Sequence, residues 1–152
     1  MIMEGTRKEQ LLLGYVVLGL VLLTGVVFIT RILNSDLYFA KKVFTGLVRG
    51  APSAARMIDW PSFQALDLNV GESYAALPSI KDKSAYEKVF IKNFSTGFEK
   101  TGARFDSFIR WRVYGRDTGR VIIAADYPAK GKTLLFYINK IDRTKLVKLS
   151  WE

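Results

Sequence analysis

The chain has 152 residues, with 23 Lys and Arg against 14 Asp and Glu, a formal charge of +9, and neither cysteine nor histidine. Disulfides and thiolate zinc sites are thereby excluded, and the commonest general base and metal ligand is missing. Any catalysis would have to rest on carboxylates, Lys, Tyr, Ser or Arg.

Residues 1–10 form a short tail in which Arg7 and Lys8 offset Glu4 and Glu9, so the positive excess lies beyond it. Residues 11–30, LLLGYVVLGLVLLTGVVFIT, are twenty residues without a charge. A helix of that length spans about 30 Å, the hydrocarbon thickness of a bilayer. The run is longer than a signal-peptide core, and Arg31-Ile32-Leu33-Asn34 offers no small-residue cleavage site. The segment therefore reads as an uncleaved signal anchor, a single-pass transmembrane helix. Gly14, Gly19 and Gly25 provide no GxxxG pair for helix dimerisation. Arg7 and Lys8 favour a cytoplasmic N-terminus, whereas the membrane-proximal basic residues Arg31, Lys41, Lys42 and Arg49 favour the opposite. Long domains are translocated largely regardless of charge, so the C-terminal domain is read as extracytoplasmic.

Residues 31–60 form a juxtamembrane amphipathic segment. Leu33, Leu37, Ala40, Phe44, Leu47, Val48 and Ala51 recur at spacings of three and four on one helix face, with Lys41, Lys42 and Arg49 largely off it. Such a helix either lies in the membrane interface or packs on its own domain, and the second placement is preferred. Nothing interrupts helical order before Gly46, which allows the anchor to run into this helix. Ala51-Pro52-Ser53 stops it, with Ser53 placed to cap a short turn, and Asp59-Trp60-Pro61 marks a corner. Trp60 and Phe63 read as core or membrane-interface aromatics.

Residues 61–152 read as one soluble α+β domain. Phe63 to Val70 suits either a short helix or a first strand, with Gly71 as its end. Ser84-Ala85-Tyr86-Glu87 matches a capping box, and Ser79-Ile80-Lys81-Asp82 resembles one. A long helix follows, with an apolar stripe of Tyr86, Val89, Phe90, Phe94 and Phe98 and with Gly102 as its left-handed cap. This helix is expected to lie across a sheet.

The period then changes from 3.6 to 2, and residues 105–116, 120–127, 133–141 and 144–151 predict four strands. A three-residue loop, Asp117-Thr118-Gly119, would pair Arg116 with Arg120 and set Ile109, Trp111 and Val113 against Tyr127, Ala125 and Ile123. Arg110 would then fall opposite Asp126 and Arg112 opposite Ala124. A two-residue tip at Asp142-Arg143 would set Leu134, Phe136 and Ile138 against Trp151, Leu149 and Val147. The expected architecture is a transmembrane helix, a juxtamembrane helix, and a long helix packed on a four- to five-stranded antiparallel sheet.

Arg110, Arg112, Tyr114, Arg116 and Arg120 share the outer face of the first hairpin in this reading. A guanidinium row beside an aromatic can grip phosphates, carboxylates or a single nucleic-acid strand. The alternative is a solvated sheet face in which Asp126 neutralises Arg110, and it is preferred. The basic loop Pro128-Ala129-Lys130-Gly131-Lys132 lacks the spacing of a phosphate-binding loop. Asp67, Asp106, Asp117 and Asp126 are scattered over different elements, so no catalytic residue, metal site or cofactor is expected.

A curved antiparallel sheet wrapped on a long helix and preceded by shorter helices resembles the cystatin-like and NTF2-like folds over Phe63 to Trp151. One anchor bearing such a domain is similar in plan to inner-membrane scaffold components of type IV secretion systems. The resemblance implies dimerisation through the sheet or a cone-shaped pocket between helix and sheet. The Phe, Trp, Ile and Val of the interior side predict a filled core instead. The sequence thus points to a membrane-anchored, non-catalytic interaction or scaffold module of an envelope assembly, engaging a protein partner, a second copy or the membrane surface. Binding of a polyanion, nucleic acid included, through the Arg-rich face is the second reading, and a small-ligand or enzymatic pocket the third.

Overall fold

The structure, a computed structural model, describes the backbone of residues 3–33 and 35–152 and the side chains of residues 9–32 and 35–152. Arg7, Lys8 and Leu33, used in the sequence reading, lie outside the described side chains. The chain divides between Ser35 and Asp36 into two compact units.

The first unit is helix α1 (Met3–Leu33). Its segment Glu9–Ile32, 24 residues, is long and apolar enough to cross a membrane, and none of it is buried. That segment measures about 36 Å at 1.5 Å per residue. The hydroxyls of Thr24 and Thr30 donate to the carbonyls of Leu20 and Val26 one turn back, at 2.8 and 2.7 Å. Polar groups satisfied within the helix suit an apolar medium. Helix α1 stops at Leu33 and the next begins at Asp36. The two helices are therefore separate rather than continuous.

The second unit runs α2 (Asp36–Val48), β1 (Gln64–Ala65), β2 (Leu68–Asn69), α3 (Val70–Ala75), α4 (Ile80–Lys100), β3 (Ile109–Asp117), β4 (Arg120–Tyr127), β5 (Lys132–Asn139) and β6 (Lys145–Trp151), with short turns of helix between. The sheet order is β2-β1-β6-β5-β4-β3. It is six-stranded and mixed, not a four- to five-stranded antiparallel sheet, because β1 adds in parallel to β6 through Gln64–Lys148 and Ala65–Leu149. Strands of two residues leave no period to read. Gly71 lies in the first turn of α3, which begins at Val70, instead of ending the preceding element. A Cβ there would come within 2.3 Å of the Pro61 carbonyl oxygen, so only glycine fits.

Helix α2 is the core helix. Ala40, Val43, Phe44 and Leu47 are at most 1% exposed, and α2 packs against β3, β4 and β5. The Phe44 ring lies within 6.0 Å of Phe98, Phe105, Phe108, Trp111 and Phe136. Of the two placements open to this segment, packing on its own domain is the one observed.

Of the two capping arrangements, Ser79-Ile80-Lys81-Asp82 is the one that starts α4, with Ser79 Oγ accepting from the Asp82 amide at 3.1 Å, while Ser84 lies inside the helix. It is followed by Gly102 at φ 71°. It does not, however, lie directly across the sheet. Its main packing is on α2 and the 52–57 turn, only Ile91 on it is fully buried, and Val89 is 56% exposed. Two amphipathic helices compete for one sheet face. Gly46 of α2 lies against the 52–57 turn, where an added Cβ would come within 3.0 Å of the Ala54 side chain, and the long rings of α4 reach α2, as Phe98 does to Phe44 at 5.6 Å.

The hairpin registers agree with expectation in their middles and depart at their ends. Arg112–Ala124 and Val113–Ile123 pair as predicted, but the first turn is the two residues Thr118-Gly119, so Asp117 faces Arg120. Irregularities between Ile109 and Arg112 and between Val113 and Gly115 absorb the shifts. As a result Ile109, rather than Arg110, takes the register position opposite Asp126. In the last hairpin Leu134–Trp151 and Phe136–Leu149 hold, and a bulge sets Ile138 against Leu146 instead of Val147.

Candidate interaction surfaces

The arginine row divides into two ion-paired groups. Arg110 Nε lies 2.8 Å and an Arg112 terminal nitrogen 2.9 Å from the two oxygens of Asp126. The Thr133 hydroxyl donates to the same carboxylate at 3.0 Å. The Arg112 hydrogen bond foremost, with Thr133 and the nearby guanidinium charges, holds the Asp126 carboxyl below its ordinary pKa. Arg110 reaches Asp126 from a left-handed backbone at φ 50°, within the first irregularity of β3. Arg116 instead turns to Asp36, 3.3 Å away, which also takes Lys140.

Tyr114 donates to Glu152 Oε1 at 2.6 Å, and this bond raises the phenol's pKa because ionisation would place two negative charges together. Since β4 and β5 lie between β3 and β6, the bond links residues on either side of two strands. The register neighbours Ala124 and Leu135 are buried, at 0% and 5% exposure, yet stand outside the main core cluster. Arg120 is the one residue of the five with no side-chain partner among the described residues. The membrane-proximal basic residues Arg31, Lys41, Lys42 and Arg49 are all exposed. The Lys41 ammonium lies 5.8 Å from the centroid of the Trp111 ring.

A different feature escaped the sequence. Beside the filled core, an apolar groove of about 430 Å³ opens between α4 and the sheet. Phe94, Gly97 and Phe98 of α4 line one side, and Phe108, Tyr127, Leu134, Leu149 and Trp151 the other. An adjoining cleft of about 330 Å³ shares Leu66, Asn93 and Phe94 with it and continues along α4 past Phe90 to Tyr86. The Phe108 ring stacks on Tyr127 at 4.9 Å and on Trp151 at 6.3 Å, forming a flat aromatic wall. Asn93, Thr101, Lys130 and Lys132 are the polar side chains of the lining besides the Tyr127 and Tyr86 phenols and the Trp151 indole N–H, and no carboxylate lines either cleft. Lys132 Nζ sits 6.0 Å from the centroid of the Trp151 ring. The groove exists because α4 rides on α2. The only traces in the sequence are Gly97 inside the helix and Leu66 at the β1–β2 tip. No group of three or more acidic residues that could hold a metal ion occurs among the described residues.

Fold and surfaces together define an α+β domain with an ion-paired basic sheet face and an apolar groove, preceded in the chain by a helix of membrane-spanning length. No protein-family model, curated protein or solved structure matches the chain.

Proposed function

We propose that the chain is a single-pass membrane protein whose C-terminal domain, on the extracytoplasmic side, is a non-catalytic interaction module of an envelope assembly. The observation that carries this reading is Glu9–Ile32, an apolar helix with every side chain outward. Leu12, Leu13 and Phe28 are each about two-thirds exposed. Apolar surface left in water costs on the order of 25 cal/mol per Å², which insertion into a bilayer removes. The domain begins at Asp36, three residues after α1 ends, so the tether is short.

The polyanion reading has less support. A polyanion on the sheet face would have to displace Asp126, Asp36 and Glu152 from Arg110, Arg112, Arg116 and Tyr114. Of the two resembled layouts, the open groove between α4 and the sheet favours the NTF2-like one. The partner in this proposal is another protein or a second copy of the chain. Cross-linking in native membranes, followed by solubilisation, is expected to return a species larger than the monomer. Monomer alone would contradict the proposal.

A further inference from the structure

We propose that the groove beneath α4 holds the acyl chain of a single-chain anionic lipid, with the headgroup at Lys130 and Lys132. The inference adds a ligand to the interaction module and rests on that reading only for the bilayer as the lipid's source.

Four observations converge on it. The lining is apolar and aromatic over both clefts, and the charges it carries are those of Lys130 and Lys132. Both lysines are exposed and flank Gly131, Lys130 in the β4–β5 connection and Lys132 at the start of β5, so they form one positive end to an apolar trough. The clefts together follow α4 from Tyr86 to Thr101, a helical rise of about 22 Å, which accommodates an extended long-chain acyl group. The two positions that a packed core would not choose both face this space. Leu66 holds a left-handed φ of 57°, a strained conformation for a branched residue, and lines both clefts. A Cβ added at Gly97 would meet no atom within 4 Å, so space is left open beside the middle of the helix.

The polar inventory decides between an acyl chain and a peptide. A buried peptide segment brings an N–H and a C=O at nearly every residue, and each needs a partner. Asn93, Thr101 and the two end lysines, with the phenols of Tyr127 and Tyr86 and the indole N–H of Trp151, supply too few along the trough. An acyl chain asks for none, and its one charged end meets the only charged groups present.

The test uses the full chain reconstituted in phosphatidylcholine vesicles with a long-chain fatty acid carrying a photoactivatable diazirine near its methyl end. After irradiation, adducts are mapped by peptide mass spectrometry. Adducts are expected on peptides spanning 86–108 and 127–151, displaced by excess palmitate. Gly97→Phe, which fills the groove, should cut them at least tenfold. Lys130→Gln with Lys132→Gln, both exposed side chains, should cut labelling by the fatty acid while sparing labelling by the matching uncharged alcohol. Adducts confined to α1, groove adducts insensitive to Gly97→Phe, or groove adducts not displaced by palmitate would overturn the proposal. Labelling of α1 reports bilayer insertion in the same sample. Its absence would overturn the membrane reading while the groove is still scored by its own adducts.

Discussion

Lys140 Nζ lies 2.5 Å from Asp36 Oδ1, tying the end of β5 to the first residue of the domain. Arg116 approaches the other oxygen of the same carboxylate at 3.3 Å. Asp36 also opens α2, where the positive end of the helix favours a negative charge. Asp36→Asn is expected to lower stability by about 1 kcal/mol, read from the denaturant midpoint of the full chain. An unchanged midpoint would show that the two ion pairs contribute nothing net.

Asp126 gives the domain a pH dependence. Its folded pKa lies below its unfolded value of about 3.9, so its contribution is complete above that value and is lost as pH falls through the folded pKa. The difference in Tm between the wild type and Asp126→Asn should be positive at pH 7 and shrink progressively below about pH 4. A difference that stays constant down to pH 2.5 would mean that Arg110 and Arg112 do not stabilise the ionised carboxylate.

The order of the helix layers is tested by two truncations. Phe44→Ala removes a ring that is 1% exposed and surrounded by five aromatics, and should cost about 3–5 kcal/mol. Val89→Ala, at a site 56% exposed, should stay within about 0.5 kcal/mol. The reverse ranking would place α4, and not α2, in the core.

Two glycines should respond with opposite sign. Gly71→Ala drives a methyl against the Pro61 carbonyl and should destabilise by about 1–3 kcal/mol. Gly97→Ala meets no neighbouring atom, so the gain in helix propensity should stabilise by up to about 1 kcal/mol. Equal effects at the two sites would contradict the close approach at Pro61.

The sequence was most informative where a period runs uninterrupted. Alternation carried β4 to its observed ends, and the middles of both hairpins paired as expected because a one-residue slip there would expose Ile123 or Phe136. The tips and bulges were illegible, since Tyr114 and Val147 continue a strand-like pattern through positions where the ladder is irregular. The layer order was illegible for another reason. The stripes of α2 and α4 both satisfy helical spacing, and periodicity says which face is apolar but not which helix gets closest to the sheet. The groove follows from that same ambiguity, because a row of Phe90, Phe94 and Phe98 reads alike whether its covering is complete or partial. The arginine row was legible as residues and not as a site: Asp126 was within reach of inspection, whereas Asp36 and Glu152 are too far away in sequence to be seen as partners.

The central claim is that α1 holds the domain to a membrane, and alkaline carbonate washing of membranes containing the full chain tests it most directly. The chain should remain in the pellet, and removing residues 11–30 should release it to the soluble fraction. Extraction of the full chain by carbonate, or recovery of a chain processed beyond residue 30, would contradict the account.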